Sequence, residues 1–216
     1  MPRLQTKRET LKGYAALAPV IPVVTVEDAS HAVPLARTLV EAGLPVVEIT
    51  FRTGAALRAM EAVARDVPEA IVAAGTVLSP EQIESATAAG AKLLVTPGTS
   101  PAMAEALAEA ALPAIPAAAT VSEALYLREL GFDLLKFFPA AASGGVAWLK
   151  AVAAPVQSVR FCPTGGVDAK SAPTYLALPN VACVGGSWMV PADAVAAGDW
   201  TRIAELARDA AELGRS

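Results

Sequence analysis

Eight short apolar runs recur along the chain, with alanine-rich amphipathic stretches between them, and this alternation restricts the fold more than any other feature. The runs are 19–26 (PVIPVVTV), 45–51 (PVVEITF), 70–75 (AIVAAG), 92–97 (KLLVTP), 113–118 (PAIPAA), 133–138 (DLLKFF), 159–164 (VRFCPT) and 181–186 (VACVGG). They have strand length and are apolar at nearly every position, as strands covered on both faces must be. Stretches such as 30–43 (SHAVPLARTLVEAG), 80–90 (PEQIESATAAG), 120–130 (TVSEALYLREL) and 144–154 (GGVAWLKAVAA) carry helical spacing. Ser30 and Ser79 stand as N-caps, and Gly43, Gly90 and Gly131 as stop signals. Strands joined by helices pair in parallel, because a parallel crossover needs that length of connection. Eight such units in 216 residues predict a closed (β/α)8 TIM barrel over an open doubly wound sheet. Residues 3–16 are expected to add an N-terminal helix across the bottom of the barrel. Pro and Gly are scattered without a linker-like pool, so residues 1–216 are expected to form a single domain.

Charge and composition narrow the function. The net charge is −4 and the pI about 5.1, which argues against a nucleic-acid partner. No run approaches the apolar length of a membrane span, and the opening MPRLQTKRETLKGY has no secretory h-region. A cytoplasmic location is expected. Cys162 and Cys183 both lie in apolar runs and read as small buried hydrophobes. His31 is the one histidine; it opens a helix and makes a poor metal ligand alone. No metal and no cofactor are expected. Trp148, Trp188 and Trp200 read as packing groups.

Catalytic groups of a barrel sit at the C-terminal ends of its strands, and three polar features occur there. Lys136 lies inside DLLKFFPA; burial strips hydration from an ammonium and favours the free amine that imine chemistry needs. Lys7, Lys12, Lys150 and Lys170 fall in helices or loops, and Lys92 opens a strand at the wrong end. Glu48 and Arg52 share strand parity in VVEITFRTG, so both charges point to one side if the strand extends that far. A carboxylate beside a lysine suits a general base, and an arginine fork suits a substrate carboxylate; internal ion pairing for structure alone is the competing reading. Finally, CPTGGV and CVGGSW place glycine pairs after the seventh and eighth strands, where barrels bind phosphate through freed backbone N–H groups. Tight turns would explain either pair singly.

The segments HAVPLA, VEITFRT, AGTVL, TPG, LKFFPA, RFCPTGG and GGSWMVPADA, in this order, resemble the bacterial 2-dehydro-3-deoxy-6-phosphogluconate (KDPG) aldolase family, also described as 4-hydroxy-2-oxoglutarate (KHG) aldolases. The resemblance covers nearly the whole chain. It implies that Lys136 is the Schiff-base lysine and Glu48 the acid/base. It further implies that Arg52 and Thr76 hold the pyruvate carboxylate, that Pro97 and Phe138 wall the reacting carbons, and that Thr164 lies beside the aldehyde half. Gly165, Gly166, Gly186 and Ser187 correspond to the phosphate loop. The implied reaction is reversible cleavage of a phosphorylated 2-oxo acid to pyruvate and glyceraldehyde 3-phosphate, in a homotrimer without a cofactor. An aldolase preferring 4-hydroxy-2-oxoglutarate or the 6-phosphogalactonate epimer is the nearest alternative. A non-catalytic phosphometabolite-binding barrel would leave Lys136, Glu48 and Arg52 without a purpose. One departure stands out: the family commonly has glycine after the proline of strand five, whereas Pro116 is followed by Ala117, Ala118 and Ala119.

Overall fold

A computed structural model describes residues 2–214. The first half runs α1 (Pro2–Ala16), β1 (Val20–Val24), α2 (Ala32–Glu41), β2 (Val46–Thr50), α3 (Ala56–Asp66), β3 (Ile71–Gly75), α4 (Pro80–Ala88), β4 (Leu93–Val95) and α5 (Pro101–Glu109). The second half runs β5 (Ala114–Ile115), β6 (Ala117–Ala118), α6 (Val121–Glu129), β7 (Leu134–Phe137), α7 (Gly145–Ala153), β8 (Arg160–Pro163), α8 (Ala172–Leu176), β9 (Val184–Gly186), α9 (Ala192–Ala197) and α10 (Trp200–Glu212). Each expected apolar run holds a strand, and the N-terminal helix is present.

All strand pairing is parallel, in two sheets ordered β5-β4-β3-β2-β1-β9 and β6-β7-β8. The expected uninterrupted ring of eight strands is therefore not what the ladder shows. Residues 113–118 split into β5 and β6 because Pro116 has no N–H to give. Its carbonyl still accepts from the Lys136 amide at 2.9 Å. The next amide, of Ala117, is taken by the Thr96 and Thr99 hydroxyls at 3.0 and 2.9 Å. On the other side, β8 reaches the last strand segment only through the isolated bridges Phe161↔Val181 and Thr164↔Gly185. The alanines at 117–119 need no left-handed backbone, since among described non-glycine residues only Thr76 has positive φ.

Side-chain alternation along the strands makes two cores. Val47, Ile49, Val72, Ala74, Leu94, Leu135 and Phe161 face outward and pack under the helices with Leu35, Leu39, Met60 and Leu127. At roughly 1.5–3 kcal/mol per fully buried large side chain, this larger layer carries most of the burial energy. The opposite parity, with Val46, Ala73, Leu93, Leu134, Cys162 and Cys183, forms an inner cluster that Leu11 and Ala15 of α1 plug from one end. Both cysteines are free thiols.

Ser79 caps α4 by accepting from the Gln82 amide, and Gly43, Gly90 and Gly131 follow the ends of α2, α4 and α6. Ser30 is not a cap. It sits in a short 3₁₀ turn (Ala29–His31), and its amide donates to the Asp28 carboxylate at 2.9 Å, two residues upstream. Asp28 is the cap instead, its carboxylate taking an amide inside the turn, and the same bond holds the Asp28 carboxyl below its usual range. No helix among the described residues is long and apolar enough to cross a membrane.

Candidate active site

The inner parity that buries Val46 and Leu134 places the next inward positions, Glu48 and Lys136, one step nearer the C-terminal ends of β2 and β7. These strands belong to different sheets, yet Lys136 Nζ donates to Glu48 Oε1 at 3.0 Å. Both residues are only 3% exposed. Breaking such a pair leaves a buried charge, whereas replacing it by apolar side chains is often neutral or stabilising, so stability alone does not explain its presence. An amine and a carboxylate within one hydrogen bond of each other are suited to passing a proton.

The Phe138 ring lies 5.4 Å from Lys136 Nζ and leads to a cavity of about 370 Å³. That volume falls in the range of small-molecule sites. Arg52, Thr164, Gly165, Gly166, Gly186 and Ser187 all line it, so glycines from both pairs and the arginine open onto one space. Gly165 and Gly166 have φ of +94° and +74°. That conformation suits glycine alone and turns successive amides off the ladder, where they become available to an anion.

Arg52 does not continue the strand. β2 ends at Thr50, and beyond it the chain turns, so Arg52 leaves the strand-parity pattern that gave it a common side with Glu48. Its guanidinium is exposed and makes no ion pair among the described residues; Glu48 pairs with Lys136 instead. Thr164 is buried beside Cys162, while Ser187 is exposed. Thr76 and Pro97 sit half-buried just past β3 and β4, outside the lining of the cavity. Thr76 is held at φ +57°, a left-handed conformation that is strained for a residue with a Cβ. Gly75, which the sequence reading passed over, touches Glu48: a Cβ there would lie 2.6 Å from Glu48 Cγ. The available signal was a glycine inside an apolar strand.

A larger cavity of about 470 Å³ lies at the other end of the fold, between α1 and the strand bases, with Lys12, Asp133 and Arg160 on its wall. It holds no buried pair comparable to Lys136 and Glu48. Among the described residues, no three His, Cys, Asp or Glu side chains are grouped to hold a metal ion.

Residues 12–206 match the family model described as KDPG and KHG aldolase. The chain belongs to the KDPG and KHG aldolase family. It is thus an aldolase, a lyase of carbon–carbon bonds. The KHG/KDPG aldolase of Escherichia coli (strain K12) is 50% identical over 205 residues, covering 95% of this chain and 96% of that protein. The crystal structure of the KDPG aldolase of Legionella pneumophila superposes with a TM-score of 0.90 at 41% identity, covering 93% of this chain and 97% of that one. It contains pyruvate captured at low pH as a covalent carbinolamine. The aldolase of Zymomonas mobilis ZM4, solved with 3-phosphoglycerate, has a TM-score of 0.89 at 40% identity over 95% of this chain and 97% of its own.

Proposed function

We propose that this aldolase reversibly cleaves 2-dehydro-3-deoxy-6-phosphogluconate to pyruvate and glyceraldehyde 3-phosphate through a Schiff base on Lys136. The observation that carries the reading is the buried 3.0 Å contact of Lys136 Nζ with Glu48 Oε1, with Phe138 lying against that amine and also on the wall of the cavity lined by Arg52 and the glycine turns. Glu48 accepts a proton from the ammonium and frees the amine, which adds to the C2 ketone to form a carbinolamine. Glu48 returns that proton to the departing carbinolamine hydroxyl, and loss of water leaves an iminium ion, the electron sink, with Glu48 again a carboxylate. Glu48 then takes the proton of the C4 hydroxyl; the C3–C4 bond breaks, its electron pair entering the enamine while the aldehyde departs. Protonation at C3 by Glu48 and hydrolysis by one water release pyruvate and restore Lys136.

Arg52 and Thr76 grip the substrate carboxylate, Pro97 and Phe138 wall the reacting carbons, and Thr164 meets the aldehyde half. Gly165, Gly166, Gly186 and Ser187 bind the phosphate. Two held ends fix the carbons between Lys136 and Glu48. The carbinolamine in the Legionella relative and the 3-phosphoglycerate in the Zymomonas one support this division into a pyruvate end and a phosphate end. The dual name of the Escherichia coli relative supports 4-hydroxy-2-oxoglutarate as a second substrate, split to pyruvate and glyoxylate.

The same reading takes residues 1–216 as one domain whose two sheets close into a (β/α)8 barrel across Pro116 and the β8–β9 bridges. It also takes the protein as a cytoplasmic homotrimer, which a mass of one or two chains in light scattering would refute. The deciding experiment for the chemistry is borohydride reduction with pyruvate, followed by peptide mapping. Lys136 should carry the label and activity should be lost. Label on another lysine, or none at saturating pyruvate, sinks the mechanism.

A further inference from the structure

β3 ends in a glycine on the parity of Ala73, the face that meets Glu48. Glycine inside a strand weakens it and often marks the close approach of another group. Here that group is the Glu48 side chain. A Cβ on Gly75 would lie 2.5 Å from Glu48 Oε1, 2.6 Å from Cγ and 2.9 Å from Cδ. Oε1 is the atom that accepts from Lys136 Nζ. Nothing in the backbone demands glycine at this position. Its φ is not left-handed, it pairs with Thr50 in the ladder, and its carbonyl accepts the Phe51 amide at 2.8 Å. What matters is the missing volume.

We propose that Gly75 is a positioning residue for Glu48, its absent side chain being the slot that holds the carboxylate against the Lys136 amine. This rests on the reading of Glu48 as the acid/base. The three atoms nearest an added methyl all belong to the Glu48 side chain, so the β3 ladder survives. The carboxylate, buried at 3% exposure, has to rotate off the Lys136 axis. A fold-neutral change thereby becomes a catalytic one, because misplacing a reacting group by about 1 Å costs on the order of 10²-fold in rate.

The test is a cycle of Gly75→Ala, Glu48→Gln and both together, read by kcat, KM and borohydride trapping of pyruvate. Gly75→Ala should lower kcat roughly 10²-fold while KM stays nearly unchanged and Lys136 still forms the trapped adduct. Glu48→Gln should lower kcat roughly 10²–10⁴-fold, and adding Gly75→Ala to it should slow it no further. Multiplying losses in the double variant, or normal kcat in Gly75→Ala beside a crippled Glu48→Gln, overturns the slot alone. Near-normal kcat in Glu48→Gln overturns the acid/base reading, and the slot with it. Should Gly75→Ala not fold, combining it with Glu48→Ala must restore the folding of Glu48→Ala alone. A double variant that stays unfolded overturns the proposal.

Discussion

Thr76 should be a residue whose replacement by glycine makes the protein more stable than replacement by alanine and no more active. It is the one described non-glycine residue with positive φ, at +57°. An L-residue pays roughly 1–2 kcal/mol to adopt that backbone. Thr76→Gly removes the strain but gives back about 0.5–1 kcal/mol through the greater freedom of glycine in the unfolded chain. Thr76→Ala keeps the strain, so the two variants should differ by about 1 kcal/mol in favour of glycine. For a chain of 216 residues that is a Tm difference of about 2–4 °C. The hydroxyl is absent from both variants. If it grips the substrate carboxylate, a hydrogen bond to a charged group is lost, and at about 1.5–3 kcal/mol kcat/KM should fall roughly 10- to 100-fold in each. Equilibrium urea unfolding and steady-state kinetics on the three proteins decide the matter. A glycine variant no more stable than the alanine variant would refute the strain argument. Unchanged kcat/KM in both would remove Thr76 from the substrate.

The proposed phosphate end is best probed at Ser187, because a side chain on Gly166 would strike Ala141 and strain a left-handed backbone. Ser187→Asp places a carboxylate on the cavity wall; kcat/KM for the phosphorylated substrate should drop at least about 10-fold, with cleavage of 4-hydroxy-2-oxoglutarate changed far less, and equal losses would count against a phosphate site. Dialysis against a chelator should leave full activity, and loss restored by a divalent ion would instead favour a metal-stabilised enolate. At the start of α6, the Ala119 and Thr120 amides donate to the Glu123 carboxylate at 2.8 and 2.9 Å, and the Ala119 contact first of all holds that carboxyl below its ordinary 4.5. A depressed folded value stabilises above the unfolded one and is lost as pH falls, so urea midpoints of Glu123→Gln and the parent should converge below about pH 4.5; a constant gap would show that Glu123 acts without its charge.

The order of elements was legible in the chain because each strand and helix announces itself locally. Apolar runs of strand length, Ser79 before α4 and Gly43 after α2 are signals that need no tertiary partner. Lys136 was legible for a related reason: an ammonium among Leu135, Phe137 and Phe138 conflicts with its surroundings, and such conflicts mark function. Parity also gave Glu48 its face but not its partner. Only the packing of two sheets chose Lys136 over Arg52, since β2 stops at Thr50 and a sequence separation of 88 between Glu48 and Lys136 holds no local clue to their contact. The split at Pro116 shows the limit from the other side. A missing N–H can be read in the sequence, but that Thr96 and Thr99 take up the neighbouring Ala117 amide depends on β4 lying beside it. Gly75 is the clearest case. Its composition says only that a strand residue lacks a side chain, and the reason is a volume that Glu48 fills from the adjacent strand. Periodicity and charge are properties of the chain, whereas distances between strands are set by the closing of the core, and the chemistry depends on those distances.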